Sequence, residues 1–297
     1  MNTRNANTRS MSARTRATAV LCAAVLCAAS LLSLLSLAPP LVAQPSDTTR
    51  VSHGPLFVPR DAYIAAGFVL GTVALAPLDR EYAKRLQRPN TQENRFFRDA
   101  ASGFRVMGGP GALLVGVSMY GVGRLAGFER LADLGLHGTE AIIVSGAVTG
   151  LIKGVAGRPR PDATASPDPE YFEFGRGFRE DNTYSSFPSG HATAAFAAAA
   201  VVTSETSRWW PRSRWVVAPV MYGGATLVGL SRMYHNRHWA SDVVMGAGIG
   251  TFAGLKVVRY HHAHPGNRID QWLLSGTLAP GADGGVVVAW SWPWPSP

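Results

Sequence analysis

Long apolar runs separated by short polar blocks are the dominant pattern along this chain of 297 residues. We predict six apolar helices, with approximate bounds 62–78, 109–122, 131–152, 191–202, 216–230 and 239–258. A charged stretch over 79–105 separates the first two runs and indicates surface helix and loop. The pattern predicts an all-α fold, a helical bundle in which consecutive helices run in opposite directions.

The two ends of the chain differ from this pattern. Four arginines precede an apolar stretch from Ala17 to Leu37, which is typical of a signal peptide over 1–43 or of an uncleaved N-terminal anchor. Residues 44–60 are predicted to be a linker, and 61–260 the helical domain. The remaining residues, 261–297, are predicted to be a tail with a possible short β-hairpin, in which Val286–Trp290 is the clearer strand.

Composition narrows the classes of function. The net charge is +9 although only 16% of residues are charged, and removing 1–43, with its four arginines and no acids, would leave +5. This excess suits an anionic substrate or a membrane surface, but it is too diffuse to predict nucleic-acid binding. Both cysteines, Cys22 and Cys27, lie in the predicted signal, so no disulfide or thiolate zinc site is expected beyond it. Several apolar runs are shorter than the roughly 20 residues of a membrane span, so a membrane bundle and a soluble bundle both remain open.

Three polar blocks interrupt the apolar runs at 153–161, 187–191 and 231–242. Lys153 ends the third run, His191 begins the fourth, Arg232 ends the fifth, and His238 with Asp242 begins the sixth. In an up-and-down bundle these positions fall at the same end. The sequence therefore predicts one site at one end of the bundle.

The residue types in the blocks indicate phosphate chemistry. Lysine and arginine donate to phosphate oxygens, and the first amides of a helix attract anions. The predicted phosphate-binding residues are Lys153, Arg160, Ser189, Gly190 and Arg232. His238 and Asp242 share a helix face, so the carboxylate is expected to fix the imidazole tautomer while the other ring nitrogen attacks. His191 is expected to protonate the leaving oxygen and then to activate water.

Neighbouring polar residues carry less information. Arg158, Asp162, His235 and Arg237 lie beside the blocks, where they either shape specificity or form ordinary loop salt bridges. The aromatic residues between 171 and 187 either line an entrance for a lipid tail or pack the loop. His261, His262 and His264 are interpreted as a solvated helix end rather than as metal ligands, so no metal site is predicted.

Together the blocks carry a family signature. The signature consists of Lys153 with Arg160-Pro161, then Pro188-Ser189-Gly190-His191, then Ser231-Arg232 with His238 and Asp242. With these residues, the chain resembles the type 2 phosphatidic acid phosphatase and vanadium haloperoxidase superfamily over about 62–258. The resemblance implies that His238 forms a phosphoenzyme, that Asp242 orients it, and that His191 is the general acid. It also implies hydrolysis without a metal, whereas the haloperoxidases of the superfamily hold vanadate in the same pocket.

We therefore expect a metal-independent phosphatase without a cofactor, acting on a phosphomonoester or pyrophosphate that is a phosphorylated lipid or a small phosphate ester. A vanadate-dependent haloperoxidase and a non-catalytic envelope protein are the alternatives. The expected location is a bacterial-type cell envelope, either in the membrane or secreted after signal cleavage. Membrane contact is expected, whereas nucleic acid and an obligate protein partner are not.

Overall fold

The computed structural model describes residues 55–163, 167–179 and 182–264, and two strands at 276–280 and 286–290. The predicted signal peptide over 1–43 and most of the predicted linker over 44–60 lie outside these residues. The described helices are α1 (Pro59–Leu75), α2 (Asp79–Leu86), α3 (Pro89–Gln92), α4 (Arg95–Met107), α5 (Pro110–Ala126), α6 (Glu129–Ala156), α7 (Gly190–Trp209), α8 (Arg214–Tyr234) and α9 (Ala240–Ala263). The strands are β1 (Gly276–Pro280) and β2 (Val286–Trp290).

The all-α prediction is confirmed. The six apolar runs correspond to α1 and to α5 through α9, and the charged stretch forms the three short helices between them. The fourth run continues seven residues past its predicted end at Val202, because α7 extends to Trp209. In the predicted tail, β1 and β2 pair in antiparallel register, with Leu278 opposite Val288.

Helix α7 lies at the centre of the bundle and packs against α6, α8 and α9. Its alanines at 192, 197, 199 and 200 are fully buried, so the neighbouring helices approach its backbone closely. At Gly250 of α9, a Cβ would lie 2.1 Å from the carbonyl oxygen of Thr193. Small residues thus allow α7 and α9 to bring their first turns together, where two of the polar blocks lie.

Helix α6 ends at a left-handed glycine that redirects the chain towards the site. Gly157 has φ +55°, and its N–H donates to the carbonyl of Lys153 at 3.2 Å. A Cβ at Gly157 would lie 1.9 Å from the carbonyl oxygen of Glu173, so the loop over 167–179 packs directly against this turn. The glycine therefore stops the helix just after Lys153 and sends Arg158 and Arg160 back across the bundle end.

Four stretches are long and apolar enough to cross a membrane: Pro59–Leu86, Glu129–Ala156, Pro211–Tyr234 and Ala240–Ala263. A fifth is reached if α4 and α5, which meet at an angle of 49°, count as one bent span. Large apolar side chains are widely exposed on the outside of the bundle, among them Leu70 at 68%, Leu114 at 67% and Val220 at 66%. Such an apolar exterior is expected of a surface that faces lipid, and these features indicate a membrane protein.

Candidate active site

The three polar blocks meet at one end of the bundle. The backbone N–H of Ser189 donates to the carbonyl of Asp242 at 3.0 Å, which joins the second block to the third. The ammonium of Lys153 donates to the carbonyl of Ser185 at 2.5 Å, and the N–H of Ser186 donates to the carbonyl of Arg158 at 3.0 Å. These bonds join the first block to the segment just before the second.

His238 lies in the turn between α8 and α9 and is 4% exposed. Its Nδ1 lies 2.7 Å from the carbonyl oxygen of Ser186 and 3.7 Å from Oδ2 of Asp242. A carbonyl only accepts, so Nδ1 carries the ring proton and Nε2 keeps its lone pair. Burial lowers the pKa of His238 to about 4, which keeps the imidazole neutral.

This arrangement differs from the expected direct hydrogen bond between Asp242 and His238. The Asp242 carboxylate is fully buried and is held by other donors. Its Oδ2 accepts from the Ser186 hydroxyl at 2.5 Å and from the Trp239 N–H at 2.8 Å. Asp242 therefore fixes Ser186, and the carbonyl of Ser186 in turn fixes the imidazole.

A buried arginine links this carboxylate to a second one. Arg158 is 3% exposed, and its Nη1 donates to Oδ1 of Asp242 at 2.5 Å, while its Nη2 donates to Oδ2 of Asp79 at 2.8 Å. Asp79, the first residue of α2, is fully buried and also accepts from the Ser241 N–H at 2.9 Å. The guanidinium lies within 6 Å of the rings of Phe172, Phe187 and Trp239.

Sequence reasoning missed this link. Asp79 belongs to a charged stretch that the sequence pattern predicts to lie at the surface, and Arg158 is only a neighbour of the motif in sequence. Nothing in the local pattern distinguishes Asp79 from an exposed acid at a helix start. Its burial follows from how α2 packs against α9, which is a tertiary contact.

The three predicted phosphate-binding cations lie close enough for their charges to interact, and among the described residues none of them forms an ion pair, although Asp162 and Asp242 are near. Arg232 is 8% exposed, and its buried Nε has no hydrogen-bond partner; within the described parts of the chain, no carboxylate lies within ion-pair distance of its guanidinium. Arg160 donates to the Ser185 hydroxyl at 2.9 Å through Nη2, while its Nε is also buried without a partner. Burying positive charge without an anion is costly, so this arrangement fits an anionic ligand.

His191 is the second residue of α7 and lies across the site from His238, close enough for their charges to interact. Its ring packs on the joint between α4 and α5, where a Cβ at Gly108 would lie 3.0 Å from His191 Cδ2. Among the described residues, no hydrogen-bond partner contacts its ring nitrogens, so they remain available to a ligand. No local sequence pattern indicates that this joint supports His191.

Ser189 and Gly190 occupy the positions that their sequence pattern predicts. Ser189 is fully buried and caps α7, with its hydroxyl 3.5 Å from the N–H of Ala192. Gly190 lies beside Lys153, since a Cβ there would be 3.8 Å from Lys153 Cε. The backbone N–H groups at the start of α7 therefore lie beside Lys153, at the positive end of the helix dipole.

The residues beside the blocks have structural partners. Arg237 pairs with Asp162 at 2.6 Å, and His235 Nδ1 lies 2.6 Å from the carbonyl of Ser231. Among the loop aromatics, Phe172 and Phe187 pack on Arg158, whereas Phe174 is 81% exposed. The loop is therefore held partly by packing and also presents an apolar outer edge.

The part of the chain that holds the three polar blocks is similar to known proteins. Residues 136–265 match the sequence model of the PAP2 superfamily. A lipid A 1-phosphatase of Porphyromonas gingivalis is 31% identical over 142 residues, which cover 48% of this chain and 27% of that protein. A probable diacylglycerol pyrophosphate phosphatase 1 of Schizosaccharomyces pombe is 29% identical over 157 residues, covering 44% of this chain and 55% of that protein.

The fold has a solved counterpart. The crystal structure of a transmembrane PAP2 type phosphatidylglycerolphosphate phosphatase from Bacillus subtilis superposes with a TM-score of 0.51 at 20% identity, covering 68% of this chain and 96% of that one. The curated relatives are matched over only 27% to 55% of their own length. The comparisons confirm the superfamily resemblance that the polar blocks predicted.

Proposed function

We propose that this chain, whose residues 136–265 match the sequence model of the PAP2 superfamily, is a metal-independent phosphatase that acts on a lipid phosphate or pyrophosphate through a phosphohistidine at His238. The observation that carries the proposal is a set of three cations around a buried, neutral imidazole, none of which is ion-paired with a carboxylate among the described residues. Three positive side chains without an ion-pair partner suit the dianionic oxygens of a phosphoryl group. An imidazole whose Nδ1–H donates a hydrogen bond to a carbonyl keeps its Nε2 lone pair free for attack.

In the first step, the Nε2 lone pair of His238 attacks phosphorus, and the bond between phosphorus and the leaving oxygen breaks. His191, in its protonated form, donates a proton to that oxygen, so the dephosphorylated alcohol or phosphate leaves neutralised. The positive charge that develops on the His238 ring is stabilised through Ser186 by the buried Asp242. Lys153, Arg160 and Arg232 stabilise the equatorial oxygens.

In the second step, the now neutral His191 removes a proton from water, and the water oxygen attacks the phosphorus of phosphohistidine. The bond between Nε2 and phosphorus breaks, inorganic phosphate leaves, and both histidines return to their starting protonation states. The His191 imidazole thus acts first as a general acid and then as a general base.

The lipid substrate is supported by the surface around the site. Apolar side chains exposed on the bundle place lipid beside the helices whose ends carry the phosphate-binding residues. The named relatives act on lipid A and, in the fungal case, on diacylglycerol pyrophosphate. No observation on this chain favours the haloperoxidase alternative, and the relatives reported above are named phosphatases.

The test is phosphate release by the full chain, purified in detergent and returned to lipid vesicles, with EDTA present. The panel comprises phosphatidic acid, diacylglycerol pyrophosphate, a glycolipid phosphate and a soluble aryl phosphate. His238→Ala is expected to lower turnover by at least about 10³-fold, because the nucleophile is removed. The matched control, His264→Ala, removes a histidine at the other end of α9 and is expected to retain full turnover.

The substrates separate the outcomes. Release from a lipid that is lost in His238→Ala supports the proposal, and the preferred lipid identifies the substrate class. Release from the soluble ester alone contradicts the lipid assignment. Near wild-type turnover in a folded His238→Ala protein contradicts the phosphohistidine mechanism.

A further inference from the structure

A second polar cluster lies at the opposite end of the bundle from the candidate active site. It consists of His137 in α6, Glu205 in α7 and His262 in α9. Fourteen residues separate His191 from Glu205 along α7, which corresponds to about 21 Å at the α-helical rise. The two polar sites therefore occupy opposite ends of the same three helices.

The geometry of the cluster is that of a converging donor set. His137 Nδ1 lies 2.7 Å from Oε1 of Glu205, and His262 Nε2 lies 3.0 Å from each carboxylate oxygen. One ligand atom from each of the three residues lies within 4.8 Å of the others. Two imidazole nitrogens and one carboxylate form a ligand set that zinc uses in proteins.

Charge also favours a cation here. Glu205 is 1% exposed, and among the described residues its carboxylate contacts only the two imidazoles, with no lysine or arginine. Asp133, one turn before His137, adds a second negative charge close enough to interact with all three residues. Neutral imidazoles leave this buried charge uncompensated, whereas a divalent cation would neutralise it.

The surroundings hold the ligands in place and leave an entrance. The ring of His261 stacks on that of His137 at 4.1 Å, and His261 Nε2 lies 2.5 Å from the Glu140 carboxylate. This contact restricts the His137 ring, as supporting residues around metal sites do. The side chain of His262 is 31% exposed, which gives an ion access from the solvent.

The expected solvated helix end is therefore incorrect for His261, which is 5% exposed and ion-paired. We propose that His137, Glu205 and His262 bind one divalent transition-metal ion, best matched by Zn²⁺, and so join α6, α7 and α9 at the end of the bundle opposite the active site. The site does not take part in phosphoryl transfer, and its existence does not depend on the proposed phosphatase activity.

The experiment measures zinc binding to the full chain, purified without a polyhistidine tag. Zinc content is measured by mass spectrometry after dialysis, and affinity by competition with a chromophoric chelator. One zinc per chain is expected. Glu205→Gln and His262→Gln are each expected to weaken binding by at least about 100-fold, because each removes a ligand. His264→Ala, outside the cluster, is the matched control and is expected to bind as the wild type does.

Cobalt replaces zinc in a second measurement, since Co²⁺ in a four-coordinate nitrogen and oxygen site gives visible absorption bands that depend on the ligands. The bands are expected in the wild type and absent in His262→Gln. His262 is partly exposed, so this variant tests the site even if Glu205→Gln fails to fold. No stoichiometric zinc in the wild type, or equal zinc affinity in His262→Gln, overturns the proposal.

Discussion

The buried Arg158 joins Asp79 to Asp242. We therefore predict that Asp79, which is far in sequence from the three polar blocks, supports the candidate active site. Replacing Asp79 by asparagine keeps the shape of the side chain and removes its charge. The Arg158 guanidinium then loses one charged acceptor, at 2.8 Å, but keeps Asp242 at 2.5 Å. The amide of the new asparagine also presents N–H groups in a place where Arg158 and Ser241 supply only donors.

The structure sets the size of the effect. Removing one partner of a buried ion pair costs about 3–5 kcal/mol when the other charge is left unpaired. Here Asp242 still neutralises Arg158, so the loss is closer to that of one charged hydrogen bond, about 2–3 kcal/mol in the free energy of unfolding. We expect kcat to fall about tenfold, because Arg158 shifts towards Asp242 and disturbs Ser186. KM should change little, because the cations that hold phosphate do not contact Asp79.

Unfolding is measured in mixed micelles by titration with a denaturing detergent, and kcat and KM are measured in vesicles. The matched control is Asp168→Asn, the same chemical change at an acid that pairs with the exposed Arg80 at 3.3 Å. An exposed pair contributes at most about 1 kcal/mol, so this variant should resemble the wild type. If Asp79→Asn is indistinguishable from Asp168→Asn in both stability and kcat, the buried link does not support the site.

Two further predictions concern the histidines. Gly108→Ala would place a Cβ 2.7 Å from Val228 Cγ1 and 3.0 Å from His191 Cδ2, so we expect lower kcat and a loss of about 1–3 kcal/mol in unfolding free energy. Gly103→Ala, in open space within α4, should instead stabilise the protein by about 0.5–1 kcal/mol, and equal behaviour of the two variants would refute the packing argument. Because burial lowers the pKa of His238 to about 4, formation of phosphoenzyme from an activated aryl phosphate should decline only near that pH. Since unfolded histidine binds a proton near pH 6.5, the free energy of unfolding should fall as pH drops from about 6.5 to 4, and a rate decline centred near 6.5 would contradict the burial.

The apolar periodicity predicted much of the architecture, because helices that face lipid or pack on one another need continuous apolar residues. The same pattern placed Lys153, His191, Arg232 and His238 at helix ends, and helices that alternate in direction bring such ends together. This inference needed no knowledge of side-chain contacts. The pattern could not assign hydrogen bonds, since the nearest partner of His238 Nδ1 is the Ser186 carbonyl at 2.7 Å, while Oδ2 of Asp242 lies 3.7 Å away.

By itself, the sequence determined the helices, the end of the bundle that carries the polar blocks and the cationic and imidazole side chains that those blocks contain. These depend on residue type and spacing within short segments. Only the tertiary structure decided which side chains contact the residues of the polar blocks and of the second polar cluster. Asp79 reaches Arg158 because α2 packs on α9, and Glu205 meets His137 and His262 because three helices converge. Such partners are separated by tens of residues, and local propensity carries no information about contacts that chain packing creates.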